Sequence, residues 1–278
     1  MRLYYKHCTM NDIILTAKKV SQTRSNLPFS VYASYKEQMI TNVPIIKPLL
    51  IFILKGSKLL GGDRPIECPV GSFVFLSNNP KIDIRNIPIQ KEYFAILIDF
   101  EYDDFKALPL HSVPHKKYFQ GEINPVLESA LRQFIEFSSI APAHVMQLRK
   151  RELLEIIYYS GYIDVCNIAA PPRLSEKVQS MISNDIASEW PVDLIAANLF
   201  MSASTLRRKL KSEETTIQDI RHRIRLGHGL HLLQTTQFSI GSIAEQCGYQ
   251  SQSRFTEQFK ILFAMTPREI RKTKMLSE

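Results

Sequence analysis

The chain has 278 residues, 45% of them hydrophobic and 22% charged, with a formal net charge of +8 and a pI near 9.2. That balance belongs to a folded globular protein rather than a disordered one, and the length leaves room for two domains, each with its own core. The apolar run PLLIFIL at 48–54 is far below the roughly 20 residues of a membrane-spanning helix, and the N-terminus MRLYYKHC does not resemble a signal peptide. A cytoplasmic protein with no membrane partner is expected.

From about residue 28 to 101 the chain reads as β structure. VYASY (31–35), PLLIFIL (48–54), GSFVFLS (71–77) and KEYFAILIDF (91–100) are short runs rich in β-branched and aromatic residues. They are punctuated by Gly61-Gly62, Pro65, Pro69, Gly71, Asn78-Asn79-Pro80 and Pro88. Such spacing predicts an antiparallel barrel or jelly roll. Helical patterning begins after Gly121. In NPVLESALRQFIEFSS (124–139) and HVMQLRKRELLEIIYYSGY (144–162) apolar residues recur at steps of three and four. Pro171-Pro172 then stops a helix and stiffens a connection. The fold class expected is therefore α+β. Residues 1–170 form a β-barrel domain with helices at about 122–163, and residues 171–278 form an all-α domain.

A single pattern occurs twice within the helical domain. SASTLRRKLK (202–211) and SQSRFTEQFK (251–260) share Ser, any, Ser, any, apolar, three any, apolar, Lys, and Ile195-Ala196 and Ile243-Ala244 precede them. Each copy reads as helix, turn, helix. Ser202 is a good cap, Leu206 and Leu210 lie one turn apart and face inward, and Phe255 and Phe259 anchor the second copy. A helix of about 20 residues between the copies would span roughly 30 Å, close to the ~34 Å between successive major-groove openings on one face of B-DNA. The positive charge favours nucleic acid at long range. From residue 171 onward 15 Lys and Arg stand against 11 Asp and Glu, so the excess is spread over both halves and only local clusters point to nucleic acid.

RIRLGHGLHLLQTTQFSIGSIAEQCGYQSQSRFTEQFKILFAMTP resembles the C-terminal signature of the AraC/XylS family of transcription regulators. The matching positions are Arg225, Gly229, Leu232-Leu233, Ile243-Ala244, Gly248-Tyr249, Ser251, Ser253, Phe255, Phe259-Lys260 and Thr266-Pro267. The resemblance covers residues 175–272. It implies two helix-turn-helix units joined by a linker helix, binding double-stranded promoter DNA, most often as activators, with RNA polymerase as the expected protein partner. The candidate DNA-contacting residues are Ser204, Thr205, Arg207, Arg208 and Lys211 in the first unit and Gln252, Ser253, Arg254, Thr256 and Lys260 in the second. Arg suits guanine O6 and N7 and Gln suits adenine N6 and N7, while Lys211 and Lys260 suit phosphate. The sequence departs from the family pattern at Ala264, where glycine is usual, and at Gly227, read as a point of flexibility in the linker helix.

The segment 54–84 resembles the cupin-like N-terminal domain of the same regulators. Its interior is expected to be lined by Phe52, Phe73, Phe75, Phe94 and Ile96, either as a core or as the site of a small-molecule effector. Residues 8–110 contain no histidine, which argues against a cupin metal site, and no metal or cofactor is expected. Cys8, Cys68, Cys166 and Cys247 show no C-x-x-C pairing and are read as reduced thiols. The helices at 124–139 and 144–162 would cover the barrel or carry homodimer contacts. A domain that only dimerises or binds a protein partner is the alternative, with a cupin-like enzyme bearing a helical accessory domain less favoured; an enzyme is not expected.

Overall fold

The computed structural model describes residues 10–23, 27–62, 65–109, 111, 114, 116–169 and 173–274. Cys8 and the Pro171-Pro172 boundary lie outside these residues. The first element is helix α1 (Met10–Thr23), whose Ile13, Ile14, Ala17 and Val20 recur at helical spacing and are buried. Among the described residues nine strands follow: β1 (Ser30–Ser34), β2 (Gln38–Ile45), β3 (Leu49–Lys55), β4 (Ser57–Leu60), β5 (Ile66–Cys68), β6 (Ser72–Leu76), β7 (Asn79–Ile87), β8 (Tyr93–Asp99) and β9 (Tyr118–Glu122). Helices α2 (Pro125–Ser138) and α3 (Ala143–Tyr159) complete this half. Asn124 caps α2 by accepting from the Leu127 N–H at 2.9 Å, and Pro125 occupies the first turn.

The strands form two antiparallel sheets, ordered β1-β8-β3-β6-β9 and β2-β7-β4-β5. No ladder joins them among the described residues, so the cupin-like half is a sandwich rather than a closed barrel. Side chains alternate across each strand of the first sheet. Ile51, Ile53, Val74, Leu76, Tyr93 and Ala95 face the second sheet and pack with its Ile45, Leu60, Cys68 and Ile84. The other face carries Phe52, Phe73, Phe75, Phe94 and Ile96, fully buried beneath α1, α2 and α3. These five residues therefore do not line the interior between the sheets. Both faces of this sheet are buried, so its strands read as continuous apolar runs and the sequence does not tell one face from the other.

The second half is helical: α4 (Leu174–Ser183), α5 (Val192–Asn198), α6 (Ala203–Ser212), α7 (Ile217–Thr235), α8 (Ile240–Gln246), α9 (Gln252–Phe263) and α10 (Pro267–Thr273). Helix α7 serves two cores in succession. Ile217, Ile220 and Ile224 pack with Val178, Ile182, Ile195, Leu206 and Leu210. Leu226, Leu230 and Leu233 pack with Ile243, Phe255, Phe259, Phe263 and Ile270. Gly229 is small because a Cβ there would lie 2.8 Å from the Phe255 ring. Gly227 is not a flexible point: α7 runs through it without interruption, and a Cβ would lie 2.9 Å from Cγ of Pro44 on β2. Close approach of the two halves explains that glycine, a cause invisible in the helix's own periodicity. No helix among the described residues is long and apolar enough to cross a membrane.

Candidate nucleic-acid interface

The two copies of the sequence repeat fold alike. In the first, α5 leads through a turn to α6, and the Ser202 side chain accepts from the Thr205 N–H at 3.2 Å. In the second, α8 leads to α9, and Ser251 accepts from the Arg254 N–H at 3.3 Å. The turns contain a left-handed residue in each case, Phe200 at φ 54° and Gly248 at φ 74°. A second left-handed residue follows each outer helix, Glu214 at φ 54° and Ala264 at φ 58°. Capping boxes then open the next helices, Thr216 with Asp219 and Thr266 with Glu269. Ala264 thus adopts the conformation for which the family pattern uses glycine, at a cost of roughly 1–2 kcal/mol for a residue with a Cβ.

The expected residues fall on the outer faces of α6 and α9. Ser204, Arg207, Arg208 and Lys211 are exposed, as are Gln252, Ser253, Arg254 and Lys260; Thr205 and Thr256 are half-buried. The Thr205 hydroxyl accepts from Ser202 at 2.9 Å and so helps the cap. Arg207, Arg208, Lys211, Arg254 and Lys260 form no ion pair among the described residues. Two further cations join the set: Lys209, exposed on the same helix as Arg207, and Arg268, exposed at the start of α10. Charge type and helical spacing alone identify both. Glu257 is exposed on α9 at the position that Arg208 holds on α6, so the first outer face is the more basic of the two.

The arginines of α7 contrast with these. Arg221 donates to the Trp190 carbonyl at 2.6 Å, Arg223 to Thr215 Oγ1 at 2.7 Å, and Arg225 to the Ile186 carbonyl at 3.2 Å. Half-buried beside Asp219 and with Arg173 nearby, Arg223 is pushed below the ordinary guanidinium range, chiefly by burial. Arg225 also explains Gly248, whose Cβ would lie 2.9 Å from the Arg225 guanidinium carbon. At the far end of α6, Glu213 accepts from the Leu174 and Ser175 N–H groups at 3.1 and 3.0 Å, tying α4 to α6. Although burial opposes it, that anchorage leaves the Glu213 carboxyl below its usual range. The chain thus keeps one set of cations for internal carbonyls and leaves another set exposed.

In the N-terminal half His111 bonds Tyr158 through Nε2 at 2.9 Å. No group of three or more His, Cys, Asp or Glu placed to hold a metal ion occurs among the described residues.

A family model described as a helix-turn-helix domain matches residues 195–273. The transcriptional regulator GadX of Escherichia coli K12 is 39% identical over 98 residues, 35% of this chain and 36% of that protein. This chain's match thus spans about a third of the length of GadX. The transcriptional activator PerA of Escherichia coli O127:H6 is 27% identical over 279 residues, 92% of this chain and 95% of PerA. The fold is similar to that of unsaturated fatty acid bound ToxT from Vibrio cholerae, with a TM-score of 0.63 at 17% identity over 92% of this chain and 98% of that one. Residues 195–273 of the helical half are thus a helix-turn-helix domain, similar to that of transcription regulators.

Proposed function

We propose that the protein is a sequence-specific transcription regulator of the activating kind, acting in the cytoplasm on promoter DNA with RNA polymerase as its partner. The observation that carries this reading is the pair of serine-capped outer helices with exposed cations, set on either side of a 19-residue helix about 28 Å long. Arg207, Arg208 and Arg254 are assigned to guanine, Gln252 to adenine, and Ser204, Thr205, Ser253 and Thr256 to base edges or nearby phosphate. Lys211 and Lys260 are assigned to phosphate. PerA's description as an activator supports the direction of regulation.

The N-terminal half is assigned effector sensing or homodimer formation, a role consistent with the fatty acid held by the ToxT structure. An effector reaching Phe52, Phe73, Phe75, Phe94 or Ile96 would enter between the first sheet and its covering helices. The test is selection of bound fragments from genomic DNA, followed by titration of a selected fragment with wild type, Arg207→Ala and Arg254→Ala. The expected result is a recurrent sequence, with each substitution costing about 1–3 kcal/mol of affinity and relaxing preference at its own base. Binding that weakens with salt but is indifferent to sequence would establish non-specific association instead.

A further inference from the structure

Strand β2 belongs to the N-terminal sandwich, yet it touches both helix-turn-helix units. Ile40 is 3% exposed and buried in the core of the second unit, where Val43 also packs. Between them the pairing of β2 with β7 breaks register, and Asn42 takes a left-handed φ of 52° with its N–H held by Asp83 Oδ1 at 2.8 Å. A bulge of this kind re-aims side chains. Here it directs Thr41 and Asn42 at one atom, the Leu262 carbonyl in the last turn of α9, at 3.2 and 3.1 Å. That carbonyl belongs to the helix end, where intrahelical partners run out.

At the start of the strand Gln38 is fully buried and joins both neighbouring helices. Its amide oxygen accepts from Gln234 of α7 at 3.1 Å, and its nitrogen donates to Thr273 Oγ1 of α10 at 2.8 Å. Asn86 donates to the same Gln38 oxygen at 3.0 Å and accepts from buried Lys58 at 2.5 Å, which fixes the orientation of both amides. At the other end of β2, Pro44 meets α7 at Gly227, Ile46 packs against the first unit's core, and the Ile46 carbonyl accepts from Gln179 of α4 at 3.2 Å. One extended segment thus bridges the first unit, the middle of α7 and the second unit. The outer face of α9 stays exposed throughout, so the contact leaves the DNA-facing residues open.

We propose that β2 is a splint that fixes the separation of the two outer helices, with Gln38, Asn42 and Pro44 acting as positioning residues for DNA recognition. The inference rests on the function proposed above. It predicts a strict half-site spacing imposed by residues that lie outside the helix-turn-helix domain and touch no DNA.

The test titrates the full-length protein against a selected operator and against versions with one base pair inserted or removed between the half-sites. Wild type loses at least about tenfold in affinity for the altered spacings. Asn42→Gly in a Thr41→Val background keeps the left-handed backbone but removes both bonds to the Leu262 carbonyl of α9. Gly227→Ala favours the helix while driving Pro44 away. Both variants bind the original operator within about threefold of wild type and discriminate spacing less than about threefold, a flattening that general destabilisation does not produce. Pro44→Ala in the Gly227→Ala background makes room for the methyl group and restores strict spacing. Unchanged discrimination in both variants overturns the splint, as does a wild type that already tolerates either spacing. Tighter binding of the variants at every spacing also overturns it, because the contact would then restrain DNA binding rather than position it. Failure of wild type to prefer any selected fragment defeats the regulator itself, a distinct result.

Discussion

The two helix-turn-helix units share a backbone and differ in what fills it. The first has a largely aliphatic core, with Ile195, Leu206, Leu210 and the first turns of α7 closing on α4, and only half-buried Ile46 reaching it from the sandwich. Its outer helix carries Arg207, Arg208, Lys209 and Lys211. The second is aromatic, built on Phe255, Phe259 and Phe263, and incomplete without Ile40 from the sandwich. Its outer helix carries Arg254 and Lys260 with Glu257 between them. A duplicated chassis has therefore diverged into one unit rich in charge and one unit whose core takes in a fully buried side chain of the neighbouring half. Affinity for phosphate is expected to weigh on the first unit, and communication with the N-terminal half on the second.

Core truncation should separate the units most strongly. Phe255→Ala is expected to cost about 3–5 kcal/mol and Leu206→Ala about 2–5 kcal/mol. Their reach should differ. Loss of the Phe255 ring empties the space beside Gly229 and loosens the core that holds Ile40. Amide hydrogen exchange should therefore show faster opening in β2 for Phe255→Ala and no such change for Leu206→Ala. Equal exchange of β2 in both variants would remove the asymmetry.

Next in size is a pH effect confined to the side of the second unit. Burial pushes the Lys58 amine down from 10.5 to about 7. Below pH 7 folded and unfolded chains both hold the proton, and the folded state bears the full penalty of a buried ammonium. Between pH 7 and 10.5 only the unfolded chain holds it, so stability rises with pH across that window. The Cys68 and Cys247 thiols, raised by burial to about 11 and 12, act in the opposite direction above about pH 9. Lys58→Met should therefore remove about 2–3 kcal/mol of the rise between pH 7 and 9, measured as the wild-type minus variant difference in urea unfolding. Parallel profiles for the two proteins would show that Lys58 is neutralised by some other means.

The smallest effect compares the left-handed residues that end the outer helices. Ala264→Gly and Glu214→Gly each relieve a strained backbone and should raise stability by up to about 1 kcal/mol, offset in part by the greater freedom of glycine in the unfolded chain. The two thermal midpoints should move together. A rise at one position only would show that the turns, though alike in φ, are held differently.

Much of the helical half is legible in the sequence, because its information is local. Serine caps, apolar pairs one turn apart and the repeated Ile-Ala give α5, α6, α8 and α9 within about two residues, and the linker pattern gives α7 at nearly its full length. The candidate contact residues follow from the same periodicity, since a residue opposite Leu206 and Leu210 must face outward. The N-terminal half yields less. β3, β6 and β8 stand out as apolar runs, but β2, with QMITNVPI, has neither clean alternation nor a continuous apolar character. It is an edge strand whose outer side chains belong to another half of the molecule, so Ile40, Thr41 and Asn42 obey long-range contacts. Helix α1 carries a helical spacing in Ile13, Ile14, Ala17 and Val20, but its 14 residues stand alone ahead of a long β region and apart from the other helices. Gly227 misleads for a similar reason: the atom that requires it, on Pro44, lies 183 positions earlier in the chain.

On the function proposed above, α6 and α9 read one face of a duplex together. Hydroxyl-radical footprinting of wild type, Arg207→Ala and Arg254→Ala on a selected operator tests it most directly. Two protected patches are expected on the same face, about 10–10.5 base pairs apart, with each substitution erasing a different patch. A single patch, or two patches on opposite faces of the helix, would contradict it.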